Sequence, residues 1–152
     1  MLVGCGCRGR ALGERLLADG WAVRGTSRGA GLEAIEAAGI EAVRADPDML
    51  GTITERIGDV TVLVWLMGAA DSPDANGPRL ESLLEKLVDS PVRGFLYEAR
   101  GSAGEEILEA GAAKVEAAGE RFRIPMGVLR ADPVEPEAWV EEAHGAVLAL
   151  IS

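Results

Sequence analysis

The hexapeptide Gly4-Cys5-Gly6-Cys7-Arg8-Gly9 constrains the fold of this chain more than any other stretch. It lies between a short apolar run, Met1 to Val3, and an amphipathic segment from Arg8 to Asp19 that carries Leu12, Leu16 and Leu17 on one face. The spacing G-x-G-x-x-G suits a strand that must turn sharply into a helix. The first glycine permits the turn, the second lets an anionic group approach the backbone, and the third lets helix and strand pack closely. The helix start adds unpaired N–H groups and the positive end of the helix dipole. A second strand, Trp21 to Thr26, follows where a βαβ unit requires it, with Gly20 closing the helix between them. Strand, glycine turn, helix and strand together predict a phosphate-binding loop, whereas the hexapeptide alone would be a weak signal.

The rest of the chain repeats the alternation of apolar runs and amphipathic stretches that marks a parallel sheet covered on both faces by helices. Helices are predicted over Leu32–Ala38, Pro47–Ile57, Arg79–Val88, Glu105–Ala118 and Pro136–Leu150. Strands are predicted over Ile40–Arg44, Val60–Leu66, Gly94–Glu98 and Ile124–Leu129. Asp46 before a proline marks one helix start, and Gly39 one helix end. The longest turn-rich stretch, Gly68 to Pro78, should lie above the sheet. The fold class is therefore α/β, a doubly wound parallel sheet of about six strands in the manner of a Rossmann fold. One domain over residues 1–152 is expected, since the length fits a single core. The first strand is short against the usual run of about five or six residues, which reads as a truncated start.

Lysine and arginine total 15 against 25 aspartates and glutamates, a net charge of −10. Such a field repels nucleic acid, so that partner class is not expected. An anionic ligand must be held by local donors, which makes individual arginines informative. The apolar run Val60 to Ala70 falls short of the ~20 residues of a membrane helix, and no basic-then-apolar leader precedes the first strand. No membrane partner is expected, and the cytoplasm is the expected location.

In a site for NAD(H), an acidic residue about 20 positions after the loop receives the ribose hydroxyls. Here the second strand ends in Gly25-Thr26-Ser27-Arg28, with no carboxylate. Two hydroxyls and a guanidinium suit the extra 2′-phosphate of NADP(H), which a carboxylate would repel. The expected cofactor is thus NADP(H) rather than NAD(H), with Arg8 as a second positive contact to the same phosphate. The plain alternative is that Arg8 and Arg28 are solvated surface charges.

Gly4, Gly6, Gly9, Leu12, Leu16, Gly20, Val23, Gly25, Thr26 and Arg28 together resemble the extended and atypical short-chain dehydrogenase/reductase superfamily, in its NAD-dependent epimerase/dehydratase-like branch. The resemblance covers about the first seventy residues and fades beyond them. It implies that Asp46 lies beside the adenine and that Met67-Gly68-Ala69-Ala70 flanks the cofactor. With the loop residues Gly4, Cys5, Gly6, Cys7, Arg8 and Gly9 and the strand end Thr26, Ser27 and Arg28, these complete the expected cofactor site. The family's chemistry uses a tyrosine four residues before a lysine, with a serine ahead of them, because the lysine lowers the phenol's pKa. That pair is absent. Tyr97 has no lysine four residues on, Lys114 has Ala110 four residues before it, and Ser102 alone is no catalyst. The chain also stops where family members continue into a substrate-binding region.

Candidates for chemistry are Tyr97, Glu98 and Arg100, at the end of the fifth strand, and only one of Tyr97 and Glu98 can face the cofactor. Cys5 and Cys7 read as fillers of the loop rather than metal ligands or reactive thiols, His144 as a surface or capping residue, and Trp65 as core. No metal is expected. In the last helix Val140, Ala143, Val147 and Leu150 share a face through which two copies could pair. Three functions follow: an NADP(H)-binding relative of short-chain reductases, acting as a small oxidoreductase or epimerase-like enzyme; a non-catalytic NADP(H)-binding regulator or sensor; and an assembly module with an empty loop.

Overall fold

The computed structural model describes residues 1–70 and 72–152; Asp71, in the predicted loop Gly68 to Pro78, lies outside the described residues. The strands are β1 (Leu2–Val3), β2 (Arg24–Ser27), β3 (Glu41–Arg44), β4 (Val62–Trp65), β5 (Gly94–Glu98) and β6 (Met126–Leu129). The helices are α1 (Cys7–Ala18), α2 (Leu32–Ala37), α3 (Gly51–Thr54), α4 (Pro78–Leu87), α5 (Glu105–Phe122) and α6 (Pro136–Ile151), and a 3-10 turn spans Pro73–Asn76. All strand pairs are parallel, in the order β3-β2-β1-β4-β5-β6. The chain runs outward from β1 to β3 and then crosses back to β4, so the order reverses between β1 and β4. In open α/β sheets, ligands bind at that reversal, beyond the carboxyl ends of the strands.

Period-2 alternation divides the core. Val3, Leu63, Trp65, Phe95 and Tyr97 face one layer with Ile53 of α3, Leu80, Leu83 and Leu87 of α4, and Leu108, Ala112 and Val115 of α5. Leu2, Val64, Leu96 and Leu129 face the other, with Leu12 and Leu16 of α1, Ile35 of α2, and Trp139, Ala143 and Val147 of α6. The central strands β1 and β4, and β5 as far as Tyr97, are apolar on both faces because helices cover both.

Three elements differ from expectation by more than two residues at an end. The helix expected over Pro47–Ile57 shrinks to the single turn of α3. Asp46 Oδ1 accepts the Asp48 N–H, while Thr52 Oγ1 accepts the Asp46 N–H and donates to the Asp46 carbonyl. Local side-chain bonds thus hold the segment in a turn, the usual way such residues compete with a helix. β2 begins at Arg24 rather than Trp21, because the Trp21 N–H closes α1 on the Leu16 carbonyl and the chain is still turning there. α5 runs on past Ala118 to Phe122; Gly119 lets the helix lie against Met126, where a Cβ would approach Met126 Cγ to 2.8 Å.

The face of α6 expected to pair two copies is used within the fold. Ala143 and Val147 are buried in the second core layer, with Val140 and Leu150 packed against it.

Candidate functional site

Gly4 ends β1 at φ +80°, and a Cβ there would lie 2.6 Å from the Leu66 carbonyl oxygen, so only glycine fits. The Gly4 N–H donates to Thr26 Oγ1 (3.1 Å), and the Cys5 N–H to the Thr26 carbonyl (2.9 Å). Thr26, 1% exposed, therefore anchors the loop to β2. Gly6 caps α1 with no side chain, which leaves the first N–H groups of the helix without a side-chain acceptor. A Cβ built on Gly6 meets nothing within 4 Å. The loop is a cradle of backbone donors with open space above it.

That space is a cavity of about 320 Å³. It runs from Gly4, Cys5 and Gly6 across Thr26, Ser27 and Arg28 to Asp46, with Met67 and Ala69 on the β4 side. Arg10 and Arg28 both line it, and neither side chain makes a hydrogen bond or ion pair with another described residue, although the Arg28 carbonyl accepts from Arg44 Nε. Ser27 Oγ accepts the N–H groups of Gly29 (3.2 Å) and Gly31 (3.0 Å). Both its lone pairs are thus used and its own O–H remains a donor. Two guanidiniums unpaired among the described residues, a hydroxyl donor and a row of N–H groups make the end of the cavity near the glycine loop a donor-rich, locally cationic surface in an acidic protein. Asp46 and Asp48 lie at its far end, beside β3.

The other half of this edge is built differently. Glu98, at the carboxyl end of β5, is 2% exposed. Its Oε1 accepts the Gly68 N–H (2.9 Å) and its Oε2 accepts from the Arg8 guanidinium (3.1 Å). Arg8 lies over the Trp139 ring at 5.3 Å, and both Arg8 Nε and Trp139 Nε1 are buried without a hydrogen-bond partner. A Cβ at Gly68 would stand 2.4 Å from the Arg100 carbonyl oxygen, and one at Gly101 2.2 Å from that of Gly68. The loops after β4 and β5 are in direct backbone contact, and the Ala103 N–H donates to the Gly68 carbonyl (2.8 Å).

On the opposite face of β5, Tyr97 points into the core. Its O–H donates to Asn76 Oδ1 (2.8 Å), whose Nδ2 donates to the Met67 carbonyl (3.0 Å). Burial first, and then the nearby Glu98 charge, push the phenol well above its ordinary pKa, so it stays protonated. Trp65 Nε1 donates to the Ala75 carbonyl, which fixes the same loop from below.

The residues named from the sequence therefore separate. Gly4, Cys5, Gly6, Thr26, Ser27, Arg28, Asp46, Met67 and Ala69 line one groove. Arg8, Cys7, Gly9 and Gly68 do not. Arg8 turns away onto Glu98, Cys7 is exposed, Gly9 is buried under Leu66, and Gly68 is walled in by Glu98 and Arg100. Tyr97 and Glu98 occupy opposite faces of β5, as strand geometry demands, and neither lines the groove. The Arg100 side chain is 54% exposed, 3.5 Å from Asp132. Lys114 Nζ is 2.9 Å from Glu81 Oε1, linking α5 to α4. Arg10 was not singled out from the sequence. Helical spacing could have found it, because it follows Gly9 on the first turn of α1 beside the cradle. His144 pairs with Asp19, tying α6 to α1. Among the described residues no group of three His, Cys, Asp or Glu side chains could hold a metal ion, and no helix is long and apolar enough to cross a membrane.

No family model and no curated protein matches the sequence. Solved structures match by shape. UDP-glucuronic acid 4-epimerase from Bacillus cereus, in complex with NAD, superposes with a TM-score of 0.68 at 18% identity, over 86% of this chain and 55% of the epimerase. UDP-glucose 4-epimerase from Thermotoga maritima gives 0.70 at 16% identity, over 85% and 53%. Triphenylmethane reductase from Citrobacter sp., complexed with NADP(H), gives 0.64 at 17%, over 85% and 48%. The chain spans about half the length of these proteins and shares their Rossmann fold.

Proposed function

We propose that this chain binds NADP(H) in the groove above β1 and β2. The observation that carries the reading is the pairing of an open glycine cradle with two guanidiniums, Arg10 and Arg28, that have no partner among the described residues. The cradle fits a pyrophosphate, since Gly6 leaves space where any side chain would intrude, and Arg28 stands where the 2′-phosphate would lie. Asp46 and Asp48 offer acceptors to the amino group of an adenine at the far end. The absence of a carboxylate at the end of β2 favours the 2′-phosphate over free ribose hydroxyls.

NADP(H), when bound, supplies a hydride donor or acceptor. The side chains nearest the reacting end of such a site are occupied otherwise: Tyr97 is held protonated on Asn76, Glu98 is held by Arg8 and Gly68, and Lys114 is paired with Glu81. These contacts favour a non-catalytic binding or regulatory protein over a small oxidoreductase. Calorimetric titration with NADPH and with NADH tests the binding reading. NADPH is expected to bind at least about tenfold more tightly, a difference of ~1.4 kcal/mol. Equal affinities, or none, would refute it. Turnover of NADPH with a panel of carbonyl compounds would establish the oxidoreductase instead.

A further inference from the structure

We infer that the groove recognises the adenosine diphosphate half of the nucleotide alone and leaves the nicotinamide half in solvent, so that oxidised and reduced cofactor bind alike. The inference rests on the reading that the groove binds a dinucleotide, and it narrows the ligand to its phosphorylated adenosine portion.

A Rossmann sheet consists of two mononucleotide-binding halves that meet where the strand order reverses. In this chain the halves are unequal. Over β1, β2 and β3 the carboxyl edge is open: the cavity lies there, with Gly6, Arg10, Arg28 and Asp46 along it. On the β4 side it reaches Leu66, Met67, Ala69 and Ala70 and touches no residue of β5 or β6. Over β5, where the second half of a dinucleotide would lie, the chain's own groups fill the edge. The carboxylate of Glu98 spans from Gly68 to Arg8, Arg8 rests on Trp139, and the backbones at Gly68 and Gly101 touch.

The closure is firm for a physical reason. Opening it would strand the Gly68 N–H and leave a carboxylate, 2% exposed, without its cation. The reduced nicotinamide ring is neutral, and the oxidised ring, though cationic, carries its charge on a pyridinium with no N–H, so neither replaces the guanidinium hydrogen bond to Glu98, while the carboxamide's own donors and acceptors are satisfied equally well by water. Burial of an unpaired charge is among the costliest changes a fold can undergo. The adenosine half, in contrast, meets donors that have no other partner among the described residues.

Four titrations of the purified chain test this, using NADP+, NADPH, 2′-phospho-ADP-ribose and nicotinamide mononucleotide. The first three are expected to agree in Kd within about fivefold, equivalent to ~1 kcal/mol, and the mononucleotide is expected not to bind. The ring fluorescence of NADPH should keep the intensity and wavelength of the free nucleotide at saturation. Binding of NADPH more than about fivefold tighter than 2′-phospho-ADP-ribose or NADP+, or an enhanced, blue-shifted ring emission, would overturn the inference while leaving NADP(H) binding intact. Failure of all four to bind would overturn both. Equal affinity for NADH and NADPH with the parity preserved would overturn only the 2′-phosphate reading.

Discussion

The two halves of the sheet's carboxyl edge use the same residue type in opposite ways. Arg10 and Arg28, beside β1 and β2, line an open groove without a side-chain partner among the described residues, whereas Arg8, two residues before Arg10 and about half a turn round the same helix, is folded onto a buried carboxylate. The first half exposes donors unpaired among the described residues; the second turns the Arg8 guanidinium and the Gly68 N–H onto Glu98, with Arg8 Nε left buried and without a partner among the described residues. An arginine left without a partner beside a backbone cradle signals a ligand site, while one folded onto a buried acid is part of the architecture. The sequence pattern that places both at a glycine loop does not distinguish them.

Removing the buried acid should have the largest effect. Glu98→Ala strands the Arg8 charge and the Gly68 N–H together, a loss of ~3 kcal/mol on the scale of breaking a buried ion pair, moderated because the Arg8 side chain is 31% exposed. For a chain of this size the melting temperature should fall by roughly 6–12 °C. Glu98→Gln, which keeps an acceptor for Gly68, should lose about half as much. Scanning calorimetry of both variants decides the point. A shift below about 2 °C for the alanine variant would show that the pair does not hold this half closed.

Next comes the open half. Arg28→Ala should weaken NADPH by about 1.5–3 kcal/mol, the scale of a charge-assisted hydrogen bond, and leave NADH and thermal stability unchanged. Its side chain is exposed and makes no hydrogen bond or ion pair among the described residues, so the contrast with Glu98→Ala is direct. An equal loss for both cofactors would remove Arg28 from the 2′-phosphate.

How far the sequence carried the reading follows the same division. Helices and strands were legible because parallel strands are apolar on both faces and their connecting helices on one, a pattern that survives in Val62–Trp65 and Gly94–Glu98 without any alignment. The groove was legible because Gly4, Gly6 and the Thr26-Ser27-Arg28 end of β2 act through local geometry. The closed half was hidden, because Arg8 and Glu98 are 90 residues apart and only the sheet brings them together. The helix expected at Pro47–Ile57 failed for a local reason, the hydrogen bonds between Asp46 and Thr52, and α5 outran its expected end because Gly119 fits under Met126. Thr26 shows a finer limit: its position beside the glycine loop was readable, but its hydroxyl accepts the Gly4 N–H and holds the loop.

A smaller effect should come from Gly6→Ala. The added methyl meets no protein atom within 4 Å, and Gly6 has φ −86°, an ordinary value for any residue. Stability should therefore stay within about 0.5 kcal/mol of the parent, while NADPH affinity falls by ~1–2 kcal/mol, because the methyl occupies the path of the pyrophosphate. Unchanged affinity in a folded variant would mean that no phosphate sits over the cradle.

The two cysteines of the loop give the least disturbance and the sharpest internal control. Cys5 is buried against Gly9 and Gly25, and burial pushes its thiol up to about 11. Since the folded pKa is raised, the thiol's contribution to stability is complete below about pH 9 and is lost as the pH climbs toward 11. At pH 8 the thiolate, which is the reactive form, is scarce at Cys5, and the side chain is shielded as well. Cys7 is exposed on the first turn of α1 and lies outside the lining of the groove. Iodoacetamide at pH 8 should therefore modify Cys7 alone in the native protein and both cysteines in denaturant, as mass spectrometry of the intact chain will show. Because the Cys7 side chain is turned to solvent, the singly alkylated protein should bind NADPH within about twofold of the untreated one, under 0.5 kcal/mol. A large loss of affinity on that modification would place Cys7 over the pyrophosphate and move the boundary between the open and closed halves toward Arg8.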